Sequence, residues 1–410
     1  MTADKLRVLV LAPFAPRHDA PHGGGRSIAQ LVTNLAARHR VALLCLRPAG
    51  DPPTDALVRR SCELVEEFEL PGVGSTAVAR WRRRARLLRG LARGNPMWVV
   101  DCSVPALAER LHELVRSWRP DVVQAEFHVM GGYLTALAGA RVLTEHEPGS
   151  SAADESAREA RGVGRVLLRA DASAWRRFEG RVLREADAVV VYTDRDCRTL
   201  ASLAPDAHFV RIPLAVEVSA EPLAAAGGPR PSVVFTGNFM HPPNVDAALR
   251  LAHGIFPHVA REIPEARLFL VGDRAPRAVR RAAGRNVTVT GRVEDVRPYL
   301  DEASVVVAPL RRGGGTRVKV LEALAAGKAL VASQLAVEGL DVTDGKEVVI
   351  ANNDADFAAA VVALLLDERR RVELGTYARS WAEENLGWAR TIAGYEELYV
   401  NLLGGRMKRS

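Results

Sequence analysis

A glycine-rich loop between an apolar strand and a helix is the feature of this chain that most clearly suggests chemistry. The strand Val305–Ala308 leads into the triplet Gly313–Gly315, and a helix is expected to begin near Thr316. Free backbone N–H groups in such a loop and the positive end of the helix dipole favour a bound phosphate. Two cations, Arg317 and Lys319, follow in the first turn, where they oppose the dipole unless an anion lies between.

A carboxylate on the same helix suggests what carries the phosphate. Glu322 lies about two helical turns beyond the loop, and a carboxylate facing the loop can accept two hydrogen bonds from a ribose diol. We therefore expect Gly314, Gly315, Thr316 and Glu322 to bind a nucleotide diphosphate or its sugar derivative. The loop lacks the P-loop and Gly-x-Gly-x-x-Gly patterns, so a flexible turn followed by a solvated glutamate stays the alternative.

A second glycine triplet lies near the start of the chain. Gly23–Gly25 follows the apolar run at residues 8–12 and precedes a helix predicted over Ser27–Arg38. Gly24 and Gly25 can approach a phosphate or a sugar closely because they carry no Cβ. A simple glycine turn, with Ser27 as the helix cap, fits the same residues equally well.

Two histidines come directly after apolar strands, where active-site groups collect in parallel sheets. His146 follows the run at residues 140–143, and it is our best single candidate for a catalytic group. His128 and its neighbour Glu126 follow the strand at residues 122–125 and are candidates for contact with an acceptor. A purely structural histidine is the alternative at both positions.

Apolar runs and helical patterns alternate almost throughout the chain, which predicts parallel sheets with helices on both faces. An Ala-, Gly- and Pro-rich stretch without periodicity, residues 217–232, separates two such series and reads as a linker. The sequence therefore predicts an α/β fold of two doubly wound domains, residues 1–216 and 233–387. A ligand is expected in the cleft between them, at the carboxyl ends of the strands.

Several segments carry a family resemblance. They are residues 233–247, 266–273, 287–300 and 305–331 of the second half, with looser matches at 23–26, 142–146 and 186–193. Their order and spacing resemble the family-four, GT-B-type retaining glycosyltransferases, in the branch with a Gly-Gly-Gly-Thr-Arg-x-Lys loop. The resemblance implies two Rossmann-like domains facing a central cleft. It also implies that the last helical segment, residues 388–410, crosses back to pack on the first domain.

The resemblance implies transfer of a sugar from a nucleotide-diphosphate donor to an acceptor hydroxyl, with retention of the anomeric configuration. The leaving phosphate would help to deprotonate the acceptor. It further implies that His146 contacts the donor sugar or its reaction centre. Gly24 and Gly25 would lie across the cleft from the diphosphate, while Gly237 and Asn238 would bind the donor at the first turn of the second domain.

No metal ion and no cofactor other than the donor are expected. The chain has no Asp-x-Asp motif of the kind that holds Mg²⁺ or Mn²⁺ on a sugar nucleotide. The charge that develops on the leaving diphosphate would instead be stabilised by the loop amides with Arg317 and Lys319, which we take as catalytic groups.

The chain departs from the family pattern at two places. Many relatives have a second glutamate earlier in the loop, and this chain has Gly314 there while keeping Glu322. Relatives also often place an arginine and a lysine after the first strand of this domain, where Asn238 and Asn244 stand. We expect the two loop cations to replace that pair.

Composition limits the class of protein further. The chain has 410 residues, and its four cysteines form no Cys-x-x-Cys pair, which favours a reducing compartment over a disulfide framework or a zinc site. No signal peptide and no apolar run long enough to cross a membrane is recognised. We therefore predict a cytoplasmic protein.

Much of the net charge of +7 is concentrated at residues 80–93, where Trp81, Ala85, Leu88 and Ala92 share one helical face. A basic amphipathic helix is typical of peripheral contact with a membrane, here its inner face, or less often with another polyanion. A solvated arginine-rich helix is the alternative. The predicted partners are thus a nucleotide sugar and a small-molecule or lipid-linked acceptor. Nucleic acid is not expected, because the helix lacks interleaved aromatic residues.

Two other functions stay open. A non-catalytic nucleotide-sugar or membrane-binding scaffold would account for the glycine at position 314. A nucleotide-sugar epimerase would need more acid–base groups in the cleft than the sequence supplies.

Overall fold

The structure is a computed structural model, and it describes residues 5–20, 22–70, 77–315 and 317–407. The described elements of the first half are β1 (Arg7–Ala12), α1 (Gly23–Arg38), β2 (Arg40–Arg47), α2 (Ala56–Ser61), β3 (Leu64–Glu69), α3 (Ala77–Ala92), α4 (Met97–Cys102), α5 (Pro105–Ser117), β4 (Val122–Glu126), β5 (Ala140–Glu145), α6 (Gly149–Glu159), α7 (Gly162–Glu185), β6 (Ala188–Val191), α8 (Asp194–Ala201) and β7 (Phe209–Arg211). A 3₁₀ helix, His128–Leu134, follows β4.

The second half repeats this alternation. Its described elements are β8 (Ser232–Thr236), α9 (Pro242–Arg250), α10 (Phe256–Glu262), β9 (Arg267–Val271), α11 (Arg277–Arg280), β10 (Val287–Gly291), α12 (Arg297–Glu302), β11 (Val305–Ala308), α13 (Val318–Ala325), β12 (Leu330–Ala332), β13 (Val349–Ile350), α14 (Asp354–Leu366), α15 (Glu368–Asn385) and α16 (Trp388–Met407). A π-helical turn, Leu251–Ile255, joins α9 to α10, and a 3₁₀ helix, Gln334–Val337, follows β12.

The strands form two separate parallel sheets, as the sequence predicts. The first has the order β3-β2-β1-β4-β5-β6-β7, and the second has the order β10-β9-β8-β11-β12-β13. In each sheet the chain reverses its direction of winding beside the first strand, between β1 and β4 and between β8 and β11. Such reversals open a crevice at the carboxyl ends of the strands, where ligands of doubly wound sheets bind. The chain between Arg211 and Ser232 joins the two sheets.

The central strands are nearly continuous runs of Val, Leu and Ala because helices cover both faces of each sheet. All six residues of β1 except Arg7 are buried, and all four residues of β11 are buried. The second domain has one core, whereas the first has one on each face of its sheet.

The last helix belongs to the core of the first domain. Ile392, Tyr395, Leu398 and Tyr399 of α16 pack with residues of β1 and α1. The predicted return of the chain is therefore confirmed, and it gives the first domain a covering helix that follows the second domain in the sequence.

Some local predictions differ from the structure. Helix α1 begins at Gly23 rather than Ser27, and its cap is His22, whose side chain accepts a hydrogen bond from the Gly25 N–H. Helix α13 begins at Val318, which places Glu322 little more than one turn into the helix. Strand β3 was not anticipated because its central residues Glu66 and Glu67 interrupt the apolar pattern at the sheet edge.

No helix among the described residues is both long enough and apolar enough to cross a lipid bilayer.

Candidate active site

The residues singled out from the sequence lie around one cleft between the two sheets. In the first domain, the helix after β1 brings Gly24 and Gly25, and the end of β5 brings His146. In the second domain, Gly237 follows β8 directly, and the glycine loop follows β11. These strands flank the points where the winding reverses, so parallel topology brings together groups that are distant in sequence.

The glycine loop packs directly on the first domain. Gly315 has φ +69°, and a Cβ built there would lie 2.5 Å from the His146 carbonyl oxygen. A side chain at this position is therefore excluded both by the backbone conformation and by the facing domain. A Cβ at the neighbouring Gly314 would lie 3.7 Å from Pro148 and 3.8 Å from Glu147, which is ordinary contact. Thr316, which we also expected to bind phosphate, lies outside the described residues.

Arg317 braces the loop. Its guanidinium donates hydrogen bonds to the carbonyl oxygens of Gly314, at 2.5 Å, and Gly313, at 2.8 Å. Its Nε–H has no partner among the described residues, so one donor is left for a ligand. The structure thus gives Arg317 a loop-holding role that the sequence did not suggest.

Lys319 turns toward the first strand of the second domain. Its ammonium donates to the Asn244 side-chain oxygen and lies 4.3 Å from the centre of the Phe235 ring. Burial, with a smaller contribution from the Arg317 charge, lowers the pKa of Lys319 to about 7. The structure shows no carboxylate hydrogen-bonded to this ammonium among the described residues, and an anionic ligand would supply the missing charge.

Asn244 and Asn238 close the turn after β8 around Lys319. The Asn244 amide donates to the Asn238 carbonyl oxygen at 2.7 Å, and the Asn238 side chain accepts from the Met240 N–H at 3.0 Å. A Cβ at Gly237 would lie 3.1 Å from the Lys319 nitrogen. The lysine therefore reaches the turn from the helix side.

Glu322 forms an ion pair across the cleft. Arg26, the residue after the first glycine triplet, donates to the Glu322 carboxylate at 2.6 Å, and both side chains are about one quarter exposed. The pair lines a cavity of about 230 Å³ that extends to the inter-domain segment Leu214–Glu217. A ribose hydroxyl that reaches Glu322 would therefore share this carboxylate with Arg26.

The N-terminal triplet serves mainly for close packing in this structure. A Cβ at Gly24 would lie 2.7 Å from the Phe127 ring, and one at Gly25 would lie 2.6 Å from Ala20. The Gly25 N–H is already bonded to His22 at 3.0 Å. Burial lowers the pKa of His22 to about 4, so this cap is a neutral imidazole at physiological pH. The triplet lies at the cleft, and the Gly25 amide is already occupied by this cap.

His146 is held from two sides. Its imidazole stacks on the Phe127 ring with centroids 3.9 Å apart, and its Nε2 lies 2.8 Å from the Glu126 carboxylate. Phe127 has φ +68°, an unusual conformation for an aromatic residue, which brings its ring over His146. The Tyr192 hydroxyl lies 3.4 Å from the same nitrogen. The imidazole is therefore fixed in orientation before any substrate arrives.

A buried polar chain continues behind Glu126 to the last helix. Gln124 donates to Glu126 at 2.6 Å, and its side-chain oxygen accepts from the Tyr399 hydroxyl of α16. The Tyr395 hydroxyl lies 3.4 Å from Thr144. All five of these side chains are almost inaccessible to solvent. Helix α16 thus contributes to the support of His146 as well as to the core.

Glu126 and His128 do not face an acceptor, which corrects the prediction made for them. Glu126 is fully buried, and His128 is 1% exposed. His128 forms a buried cluster with Glu145, at 3.2 Å, and Glu179, while the Glu179 carboxylate accepts from the first N–H groups of α6. Burial raises the pKa of Glu179 to about 7. This cluster ties α6 and α7 to the sheet beneath the cleft.

Two acidic residues at the cleft were missed from the sequence. Glu147 is half-buried between His146 and the glycine loop, and a Cβ at Gly315 would lie 3.2 Å from the Glu147 Cβ. Its carboxylate has no hydrogen bond or ion pair with the described residues, and burial raises its pKa. Asp196 on α8 is buried. Burial raises the pKa of its carboxyl, whereas hydrogen bonds with Thr193 and Gly315 and the charge of Arg317 act to lower it. The adjacent pair His146-Glu147 after a strand was the available signal.

The chain matches two families in succession. Residues 21–220 match the family described as Glycosyltransferase Family 4, and residues 230–367 match Glycosyl transferases group 1. An uncharacterized 44.6 kDa protein from the cps region of Klebsiella pneumoniae is 23% identical over 163 residues, 38% of this chain and 42% of that protein. An uncharacterized glycosyltransferase of Methanocaldococcus jannaschii is 28% identical over 96 residues, 22% of this chain and 24% of that protein. The chain thus aligns with less than half of either relative.

Solved structures resemble almost the whole chain. Sucrose-phosphate synthase from Thermosynechococcus elongatus has 18% identity and a TM-score of 0.71, covering 97% of this chain and 100% of that one. A TarM variant of S. aureus in complex with fondaparinux, alpha-GlcNAc-glycerol and UDP has 10% identity and a TM-score of 0.68, covering 96% and 99%. Anabaena HepE in complex with UDP and glucose has 12% identity and a TM-score of 0.64, covering 97% and 99%. The likeness shows that the fold is GT-B.

Proposed function

We propose that this chain, which belongs to the family-four glycosyltransferases of the GT-B type, transfers a sugar from a nucleotide-diphosphate donor to an acceptor hydroxyl. The structures of TarM and HepE that resemble this chain contain UDP, which supports a nucleotide diphosphate as the leaving group. The acceptor in this proposal is a small molecule or a lipid-linked one. The enzyme would work in the cytoplasm or at the inner face of its membrane, with residues 80–93 as the contact.

One observation carries the proposal. A lysine with no carboxylate hydrogen-bonded to it among the described residues, a braced glycine loop and a helix carboxylate lie on the second domain, opposite a supported histidine of the first. Lys319 and Glu322 are three positions apart on α13, about one helical turn, and the helix begins three positions after Gly315, so one ligand could contact both side chains and the loop. A nucleotide diphosphate has the charge for the lysine and loop and the diol for the carboxylate.

The roles follow from position. Lys319, with the free Nε–H of Arg317 and the amides of Gly314 and Gly315, would stabilise the departing diphosphate. Glu322 would accept hydrogen bonds from the ribose, and Gly237 and Asn238 would border the diphosphate from the strand side. His146 would contact the donor sugar near the bond that breaks.

The chemical step breaks the bond between the anomeric carbon and the diphosphate oxygen and forms one to the acceptor oxygen. The proton of the acceptor hydroxyl passes to the departing phosphate, and the sugar keeps its anomeric configuration. The described groups that would stabilise the diphosphate are cations and amides, so the proposal includes no metal ion. Family membership is what supports retention.

A ligand screen tests the proposal. Purified protein would be heated with UDP, GDP, TDP, ADP and CMP, each with Mg²⁺ and with EDTA, because a ligand of the native state raises the melting temperature. We expect one diphosphate to shift the transition in both conditions. The matching nucleotide sugar should then give a product whose anomeric configuration is read by NMR. No shift with any nucleotide would leave the non-catalytic scaffold as the better account.

The first prediction concerns Glu147, which we assign to the donor sugar. The family pattern that this chain resembles has a glutamate where Gly314 stands, and a Cβ built at Gly314 would lie 3.8 Å from the Glu147 Cβ of the other domain. We expect Glu147→Gln to lower kcat/KM for the nucleotide sugar by about 10- to 100-fold, since hydrogen bonds to a buried charged group contribute roughly 1.5–3 kcal/mol. Binding of the free nucleotide diphosphate should change little.

Steady-state kinetics and calorimetry with the nucleotide measure both quantities. Glu155→Gln, a half-exposed carboxylate on neighbouring α6, is the matched control. Equal losses for the nucleotide and for its sugar would show that Glu147 does not recognise the sugar.

The second prediction concerns Glu322 and the ribose. We expect Glu322→Gln to weaken nucleotide diphosphate binding by about tenfold, because the amide accepts fewer and weaker hydrogen bonds than a carboxylate. The wild-type preference for the ribonucleotide over its 2′-deoxy analogue should disappear in this variant. Titration calorimetry with both nucleotides gives the comparison. A preference that survives the substitution would place the ribose elsewhere.

A further inference from the structure

Helix α3 presents an apolar stripe to solvent. Val78, Trp81, Ala85, Leu88 and Ala92 recur at helical spacing, and the side chains of Trp81, Val78 and Leu88 are 68%, 60% and 54% exposed. Gly90, on the opposite side, is the one buried residue of this helix, and it packs against Val100 of α4. The apolar side is therefore not used by the described core.

Arginines border the stripe on both sides. By helical geometry Arg82, Arg89 and Arg93 lie along one edge and Arg84 along the other. All four are exposed, and none forms an ion pair with a described residue. Arg83, by contrast, faces the protein and pairs with Asp101 of α4. Arg83 thus holds α3 against α4, while the four arginines beside the stripe face solvent.

A groove runs beside the stripe, between α3 and α4. It has a volume of about 450 Å³, and polar groups on its walls include Arg82, Arg89, Arg93, Asn95 and Ser103. Arginine forks with amide and hydroxyl groups suit the oxygens of a phosphate. A groove of this size accommodates a phosphate-bearing headgroup next to the exposed tryptophan.

Helix α4, which packs against α3, also leads toward the candidate reaction centre. Helix α4 carries Trp98, which is 39% exposed and whose ring lies 6.4 Å from that of Phe127. Phe127 in turn stacks on His146. A surface that covers α3 and α4 is therefore only two side chains from the candidate reaction centre.

We propose that α3 docks on an anionic phospholipid surface and that the acceptor is carried by a lipid in that surface. Trp81 and Leu88 enter the interface, while the groove arginines bind headgroup phosphates. The charge of an anionic leaflet complements the arginine rows, and its apolar interior covers the stripe. A nucleic acid would satisfy the arginines alone and would leave Leu88 and Val78 in water. The proposal of a docking site depends only on the observations on α3 and its groove, whereas the proposal of a lipid-carried acceptor rests on the proposed glycosyltransferase function.

Vesicle sedimentation with the full chain tests the docking. Vesicles of phosphatidylcholine alone are compared with vesicles in which about one third is phosphatidylglycerol. We expect the protein to sediment with the anionic vesicles and to be released as salt rises. Arg82→Glu with Arg89→Glu should weaken binding on the order of tenfold or more. Leu88→Ser should weaken it severalfold.

Matched controls are available elsewhere on the surface. Arg281→Glu with Arg285→Glu makes the same charge change on exposed arginines of the second domain, and Leu366→Ser alters a leucine that is 73% exposed. Neither should affect vesicle binding. Circular dichroism melts show whether each variant is folded.

The outcomes separate the two proposals. Equal sedimentation with both kinds of vesicle, or unchanged binding in the Arg82/Arg89 variant, would overturn the docking. Binding of single-stranded RNA in place of anionic vesicles, lost in the same variant, would overturn it as well. The nucleotide-induced thermal shift should be intact in every α3 variant. A wild-type protein that binds vesicles but no nucleotide would refute the glycosyltransferase and leave the docking standing.

Discussion

Replacement of Lys319 by methionine is expected to lower kcat/KM by about 10²- to 10³-fold, the largest effect of any single change in this protein. The ammonium is the described cation closest to the turn after β8, where it touches Asn244 and approaches Gly237. Methionine keeps much of the volume and removes the charge that would oppose the developing diphosphate. Steady-state kinetics with the nucleotide sugar and calorimetry with the nucleotide diphosphate measure the loss.

The pH dependence of binding identifies the lysine. Its pKa is lowered to about 7 in the free protein, so it is half neutral near that pH. A bound diphosphate favours the charged form, and a nucleotide sugar itself has no phosphate proton to lose in this range. Affinity should therefore fall as the pH rises above about 7. This pH dependence should vanish in Lys319→Met. Lys319→Arg should keep part of the wild-type affinity and show no such pH dependence, because arginine stays charged.

The effect on folding has the opposite sign. Because the folded-state pKa lies below the unfolded value of 10.5, the unfolded chain binds more protons between about pH 7 and that value. The free energy of unfolding therefore rises with pH through this window. Below about pH 7 the full cost of burying the charged lysine is present. Lys319→Met should melt no lower than the wild type at pH 7 without ligand. A lower melting temperature would mean that lost activity reflects misfolding.

Replacement of His146 by alanine is expected to lower kcat by about 10²-fold or more, with little change in nucleotide diphosphate binding. His146 directly follows β5, and its backbone carbonyl oxygen lies against Gly315 of the glycine loop. The nucleotide-binding groups belong to the other domain, so they should survive the substitution. Loss of nucleotide binding equal to the loss of kcat would remove His146 from the reaction centre.

Glu126 tests whether the orientation of His146 matters. Its carboxylate is buried behind the imidazole and 2.8 Å from Nε2, so we regard it as a positioning residue. Glu126→Gln should lower kcat about tenfold and alter its pH profile, while leaving KM for the donor nearly unchanged. Tyr399→Phe, which removes a hydroxyl farther along the same chain, should have a smaller effect in the same direction.

The sequence by itself determined the fold and the neighbourhood of the site. Runs such as those of β1 and β11 are apolar because both faces of a parallel strand are covered, and this is a local property that periodicity detects. The carboxyl ends of such strands must meet at one edge of the sheet. For this reason the sequence alone assigns His146, Gly237 and the loop around Gly314 to one cleft.

Boundaries and polar partners were harder to read. Helix α1 begins at Gly23, the start of the triplet, because His22, an uncommon cap, accepts a hydrogen bond from the Gly25 N–H, whereas the sequence offered Ser27 as the cap. The sequence suggested that Gly24 approaches a phosphate or a sugar closely, and in the structure the Phe127 ring lies where a Cβ at Gly24 would be. Phe127 reaches this position through a backbone conformation that no pattern of apolar residues specifies.

Only the tertiary structure decided which charges pair, which are buried and which face solvent. The Arg26–Glu322 pair, the Glu126–His146 contact and the approach of Glu147 to the glycine loop each join residues that sequence periodicity treats as independent. The pKa of Lys319 is lowered by the packing around it, and the stripe on α3 is exposed because none of the described elements covers it. Periodicity records which residues share a face of an element, whereas the partner of that face is set by the packing of the whole chain.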